Sequence, residues 1–169
     1  LRARYLAAEQ LLENYRLRYA SKEEAIESIA QLKEIIKGLS TIHSKLMAKA
    51  KRSSTRTEVY DLIGMTTSLL AWSNYYIAWF EADTAAADTA QKYFALMIQA
   101  ESPPIFDQFS FDIKSKEYGA RAILGIALCE AILIKKTVNV RWFNVLLRYG
   151  THESIRTQIP MWQYFQDVD

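Results

Sequence analysis

A chain of 169 residues, half of them apolar, fits one domain with a sizeable buried core and excludes disorder along its whole length. Its net charge of +2 conceals an uneven distribution: residues 1–60 hold twelve Lys and Arg against seven Glu, an excess of five, while the remaining 109 residues come to −3. Such asymmetry points to a basic segment that meets nucleic acid or an anionic membrane, joined to a more neutral packing module.

The sole cysteine, Cys129, has no intrachain disulfide partner, and its place in the apolar run 122–134 predicts a small packed hydrophobe. An intracellular or virion-interior setting is expected. No charged n-region followed by an apolar h-region is visible, and the start at Leu1 without a Met is the expectation for a processed or trimmed N-terminal segment. Residues 62–80 carry no charge and are long enough to span a bilayer. Thr66, Thr67, Ser68, Ser73, Asn74, Tyr75 and Tyr76 make that stretch too polar to face lipid, so a central helix buried on most sides is expected. Interfacial membrane contact stays open.

Glycine is scarce, proline occurs only at 103, 104 and 160, and no strand-type alternation appears, which predicts an all-α helical bundle. A first helix is expected over about 2–19, with Tyr5, Ala8, Leu12, Tyr15 and Tyr19 at helical spacing. Ser21 and Glu24 form a capping-box pattern, so a second helix starts near Lys22. Along it Ala25, Ile29, Leu32, Ile36, Leu39, His43, Leu46 and Ala50 alternate steps of four and three, a heptad seam. Gly38 lies inside that seam and permits a kink without forcing a stop.

Thr55 and Glu58 repeat the capping-box pattern and open a third helix, with Val59, Leu62, Thr66, Leu69, Ser73, Tyr76 and Phe80 on its inner face. The strong helix formers from Glu81 to Glu101 predict that this long central helix runs on towards Ser102, with a turn at Asp83 as the alternative. A loop anchored by Ile105, Phe106, Phe109 and Phe111 follows, then a helix over about 115–136. Gly119, Ala122, Gly125 and Cys129 give that helix a small-residue face against which another helix can close. Asn139 can cap a short helix ending near Gly150, and the chain finishes in an aromatic tail. Residues 1–56 thus read as a basic helical arm and 57–169 as a helical bundle with that tail, together one structural unit.

Catalytic chemistry finds no residues to carry it. The two histidines, His43 and His152, are too few for common zinc sites, no Glu-x-x-His pair exists, and no nucleophile elbow or phosphate-binding glycine loop occurs. His43 on the seam reads as a packed, hydrogen-bonded histidine. Glu130, inside an apolar helix, is expected to pair with an arginine such as Arg121 or Arg148. No enzyme, cofactor, metal or small-molecule substrate is expected.

From Glu34 to Glu58 no acidic residue intervenes, yet Lys37, Lys45, Lys49, Lys51, Arg52 and Arg56 all fall there. On a helix Lys45, Lys49, Arg52 and Arg56 share one face, a row whose mutual repulsion is relieved by an anion. A solvated charged face is the competing reading. The aromatic regions, Trp72 to Phe80 and Trp142 to Phe165, are poor in cations, whereas the basic row has no aromatics. The mismatch favours packing for the aromatics and nucleic-acid backbone phosphates for the cations.

The arm at 22–56 with its cation row, the Ile- and Tyr-rich composition and the helices over 57–149 resemble, in outline and without a diagnostic motif, the helical-bundle major capsid proteins of filamentous archaeal viruses. The resemblance implies a virion component that coats double-stranded DNA without reading bases. It also implies that Ile29, Leu32, Ile36 and Leu39 on the seam, together with Trp162, Tyr164 and Phe165 in the tail, bind a second copy or a paralogous subunit in a filament. The alternative is a cytoplasmic helical adaptor whose seam docks a partner helix and whose cations are merely solvated.

Overall fold

The heptad seam finds its partners within the chain itself. The computed structural model describes residues 1–50, 57–98 and 113–134, and among these every regular element is a helix: α1 (Arg2–Arg16), α2 (Lys22–Ala50), α3 (Thr57–Glu81), α4 (Thr84–Ile98) and α5 (Ile113–Ile134). Each helix packs on the next in chain order, and α3 also meets α1 and α5, so α3 is the axis of an all-α bundle. The loop expected over 102–112, the short helix over 139–149 and the aromatic tail lie outside the described residues.

Two helix ends explain how the chain turns. α1 stops at Arg16 rather than continuing to 19: Arg18 takes the left-handed conformation at φ 63°, its N–H donates to the Tyr15 carbonyl and the Tyr19 N–H donates to that of Asn14. This is a Schellman closure with arginine where glycine is usual, and it leaves Tyr19 83 % exposed. α2 then begins on the expected capping box: the Ser21 N–H donates to Glu24 Oε2 at 2.7 Å and the Glu24 N–H to Ser21 Oγ at 3.2 Å. Those bonds hold the Glu24 carboxyl below its ordinary range.

The continuous helix expected from 57 towards 101 is replaced by two helices broken at Ala82 and Asp83. Ala82 sits at φ 54°, and the Asp83 N–H reaches back to the Ala78 carbonyl at 3.1 Å. The Asp83 side chain caps the next helix, its Oδ1 accepting from the N–H groups of Ala85 at 2.9 Å and Ala86 at 3.1 Å. The aspartate cap outweighs the local preference for continuing.

Over 70–78 α3 is buried on nearly every side, as its polarity-tempered apolar run predicts, Leu70, Ala71, Trp72, Ser73, Tyr75, Tyr76, Ile77 and Ala78 being inaccessible or nearly so, whereas Leu62, expected on the inner face, is 43 % exposed. Its polar groups turn inward onto their own helix. Thr66 and Thr67 donate to carbonyls one turn back, and Asn74 Nδ2 donates to the Leu70 carbonyl at 2.7 Å. The small-residue face of α5 works as expected, since Gly125 admits the Phe94 ring of α4, itself fully buried. Cys129 is buried among these residues, and burial pushes its thiol up to about 12.

Most of the seam is buried within this chain. Ile29, Leu32 and Leu39 are at most 3 % exposed and Ile36 packs against the same core, with α1 and α3 as the neighbouring helices. They are covered by this chain's own helices, and each fully buried aliphatic side chain stabilises the fold by roughly 1.5–3 kcal/mol. Ile29, Leu32 and Leu39 therefore have no face left for a second subunit, whereas Ile36 is half-buried and lines an open groove beside Lys33 and Asn74, its neighbour Ile35 taking the fully buried place. Trp162, Tyr164 and Phe165 lie outside the described residues. The arm and the bundle share one core.

Candidate nucleic-acid interface

The far end of α2 is held by a small cluster of its own. Ala50, Val59 and Ile63 are buried together with Leu46 and Met47 packed against them, which clamps the last turns of α2 onto the start of α3. With 46, 47 and 50 turned inward, helical geometry directs Lys45 and Lys49 outward, and both are exposed. They lie one turn apart, about 6 Å along the axis.

The pairing of the lysines along α2 is uneven. Lys33 donates to Glu81 at 2.7 Å, tying α2 to the end of α3, and Lys37 donates to Glu34 at 2.8 Å and holds that carboxyl below its ordinary range. Lys45 and Lys49 make no ion pair among the described residues, and Asp61, exposed on the adjoining α3, does not reach them. Lys37 thus starts from a partnered state, although an exposed pair of this kind is worth only about 0–1 kcal/mol and is readily exchanged. Lys51, Arg52 and Arg56 lie outside the described residues.

His43 contributes geometry rather than charge. Its Nε2 lies 3.0 Å from Thr67 Oγ1, and because the Thr67 hydroxyl already donates to the Ile63 carbonyl at 2.7 Å, the imidazole must be the donor. The ring meets Tyr93 edge-on at 5.9 Å. Burial pushes the imidazole below its ordinary value, so the neutral ring adds nothing to the basic row at neutral pH.

A second polar constellation, not singled out in the sequence, joins α1 to α3 and α5. Glu9 accepts from Tyr5 Oη at 2.8 Å and Tyr76 Oη at 3.4 Å, Glu13 accepts from Tyr76 Oη at 2.8 Å, and Arg16 pairs with Glu13. Arg121 takes Glu9 as its carboxylate partner at 3.6 Å and lies 5.2 Å from the Trp72 ring centre, while Arg148 lies outside the described residues. The i, i+4 spacing of Glu9 and Glu13 on the face that carries Tyr5 and Leu12 was the available signal, because carboxylates bordering a buried stripe need partners. Burial, reinforced by Glu9, raises the Tyr5 phenol well above its usual value, so both phenols of this network stay donors.

Among the described residues no group of three or more His, Cys, Asp or Glu is arranged to hold a metal ion, and no helix is long and apolar enough to cross a membrane. Trp72, Tyr75 and Tyr76 are core residues and offer no stacking platform to bases. The class the fold defines is an all-α helical bundle whose second helix exposes Lys45 and Lys49 on its C-terminal half. Comparison with protein-family models, with curated proteins and with solved structures finds no match to this chain.

Proposed function

We propose that this chain is a structural nucleic-acid-packaging subunit, which coats double-stranded DNA through the outer face of the C-terminal half of α2 and assembles as a capsid-like filament. One observation carries the reading: Lys45 and Lys49 stand exposed on an acid-free helix segment without an ion pair among the described residues, whereas Lys33 and Lys37 each have a carboxylate. Lys51, Arg52 and Arg56 extend the same charge in sequence. Cations that neutralise phosphates release counterions on binding, so affinity depends on salt and not on base sequence.

The adaptor alternative loses its main support, because the seam that would dock a partner helix is occupied by α1 and α3. Fluorescence anisotropy of labelled duplexes of unrelated sequence, titrated at several salt concentrations, tests the proposal. Equal affinities that fall steeply with salt support it; binding that is insensitive to salt, or no binding at low salt, refutes it.

A further inference from the structure

Where α1 crosses α3 and α5, a small pocket of about 70 Å³ opens between Arg2, Tyr5, Leu6, Glu9, Met65, Ser68, Leu69, Trp72 and Arg121. Three of its polar groups have unused hydrogen-bonding capacity. Ser68 is only 7 % exposed and lines the pocket, yet its hydroxyl makes no hydrogen bond among the described residues, unlike Thr66 and Thr67 beside it, which bond back to their own helix. Its hydroxyl is thus an uncommitted donor and acceptor on the pocket wall.

Arg121 is the second group. Its separation from Glu9, 3.6 Å, is an ion-pair distance and too long for a hydrogen bond, and with its guanidinium 5.2 Å from the Trp72 ring centre its N–H donors make no hydrogen bond among the described residues. Arg2, exposed at the rim, is the third. Two guanidinium groups against the one carboxylate of Glu9 leave a net positive pocket, and Glu9 is itself engaged by Tyr5 and Tyr76. A cavity of about 70 Å³ has room for one small oxyanion.

We infer that this pocket binds a single oxyanion group, a phosphate or its equivalent, held by the Arg121 and Arg2 guanidinium groups and the Ser68 hydroxyl. The inference is independent of the cation row on α2. Its chemistry fits both free phosphate and a phosphate of a nucleic-acid chain, and competition separates the two sources. A duplex displaces inorganic phosphate if the chain phosphate is the ligand and leaves it bound if free phosphate is.

The test is the melting temperature and tryptophan fluorescence of the full chain, titrated with inorganic phosphate against sodium chloride at matched ionic strength. Phosphate should raise the melting temperature by about 3 °C at roughly ten times its dissociation constant. The rise should vanish in Ser68→Ala and in Arg121→Gln. Should Arg121→Gln lose helix content through its Glu9 contact, Ser68→Ala, which removes one oxygen, decides alone. Equal responses to phosphate and chloride, or a phosphate response retained in Ser68→Ala, would overturn the assignment.

Discussion

The Phe94 ring of α4 occupies the space that a side chain on Gly125 of α5 would need: a Cβ built there falls 2.3 to 2.6 Å from three atoms of the ring. Phe94 is fully buried and cannot step aside. Gly125→Ala should therefore destabilise the fold by about 1–3 kcal/mol, the usual range for overpacking, measured by urea denaturation. Gly38 is the internal control, because a Cβ there meets only the Leu1 side chain at 3.7 Å. Gly38→Ala should stabilise by up to about 1 kcal/mol through helix propensity.

Ala82 closes α3 at φ 54°, a conformation that costs an L residue roughly 1–2 kcal/mol and glycine little. Ala82→Gly should raise stability by about 0.5–1 kcal/mol. Asp83→Ala should lower it by about 1 kcal/mol, since two N–H groups of α4 lose their acceptor. Thermal melts of the two variants should move in opposite directions; a shared direction would mean that the break is not built as described.

This break also shows what the sequence could and could not tell. α2 was legible over 22–50, because the seam and a reciprocal cap agree on that span, although Ile35 is fully buried where Ile36 was expected, and burial of α3 on most sides followed from an uncharged yet polar run. The ends of α1 and α3 were hidden, because Arg18 and Ala82 stand where glycine would have announced a stop. At the candidate interface the exposure of Lys45 and Lys49 followed from periodicity. The partners of Lys33 and Lys37 did not, since Glu81 lies on another helix and a single neighbour such as Glu34 decides one pairing. That most of the seam serves the intramolecular core was equally invisible, because a heptad pattern is the same whether its partner lies within the chain or beyond it.

His43 gives the fold a pH dependence of definite sign. Burial lowers its folded value below the unfolded value of 6.5, so the neutral form is favoured in the folded state. The resulting stability is present above 6.5 and is lost as pH falls through the lower folded value. Urea midpoints measured between neutral pH and about pH 5 should decline in the wild type, and the decline should be shallower in His43→Gln. A slope unchanged by the substitution would show that other groups account for it.

Ser73 is fully buried on α3 and its hydroxyl has no hydrogen-bond partner among the described residues. Removing an unsatisfied buried hydroxyl recovers its desolvation cost, so Ser73→Ala should leave the fold as stable or make it more stable by about 1 kcal/mol. Calorimetry of the purified variant checks this; a loss exceeding about 1 kcal/mol would mean that the oxygen is satisfied.

The phosphate-binding role of α2 meets its most direct test in the double charge reversal Lys45→Glu with Lys49→Glu, measured by duplex anisotropy across a salt series beside circular dichroism. If these lysines neutralise backbone phosphates, helix content stays the same, affinity at low salt falls by at least about tenfold, and the slope of log affinity against log salt drops by about 2. Unchanged affinity and slope in a folded variant would contradict it.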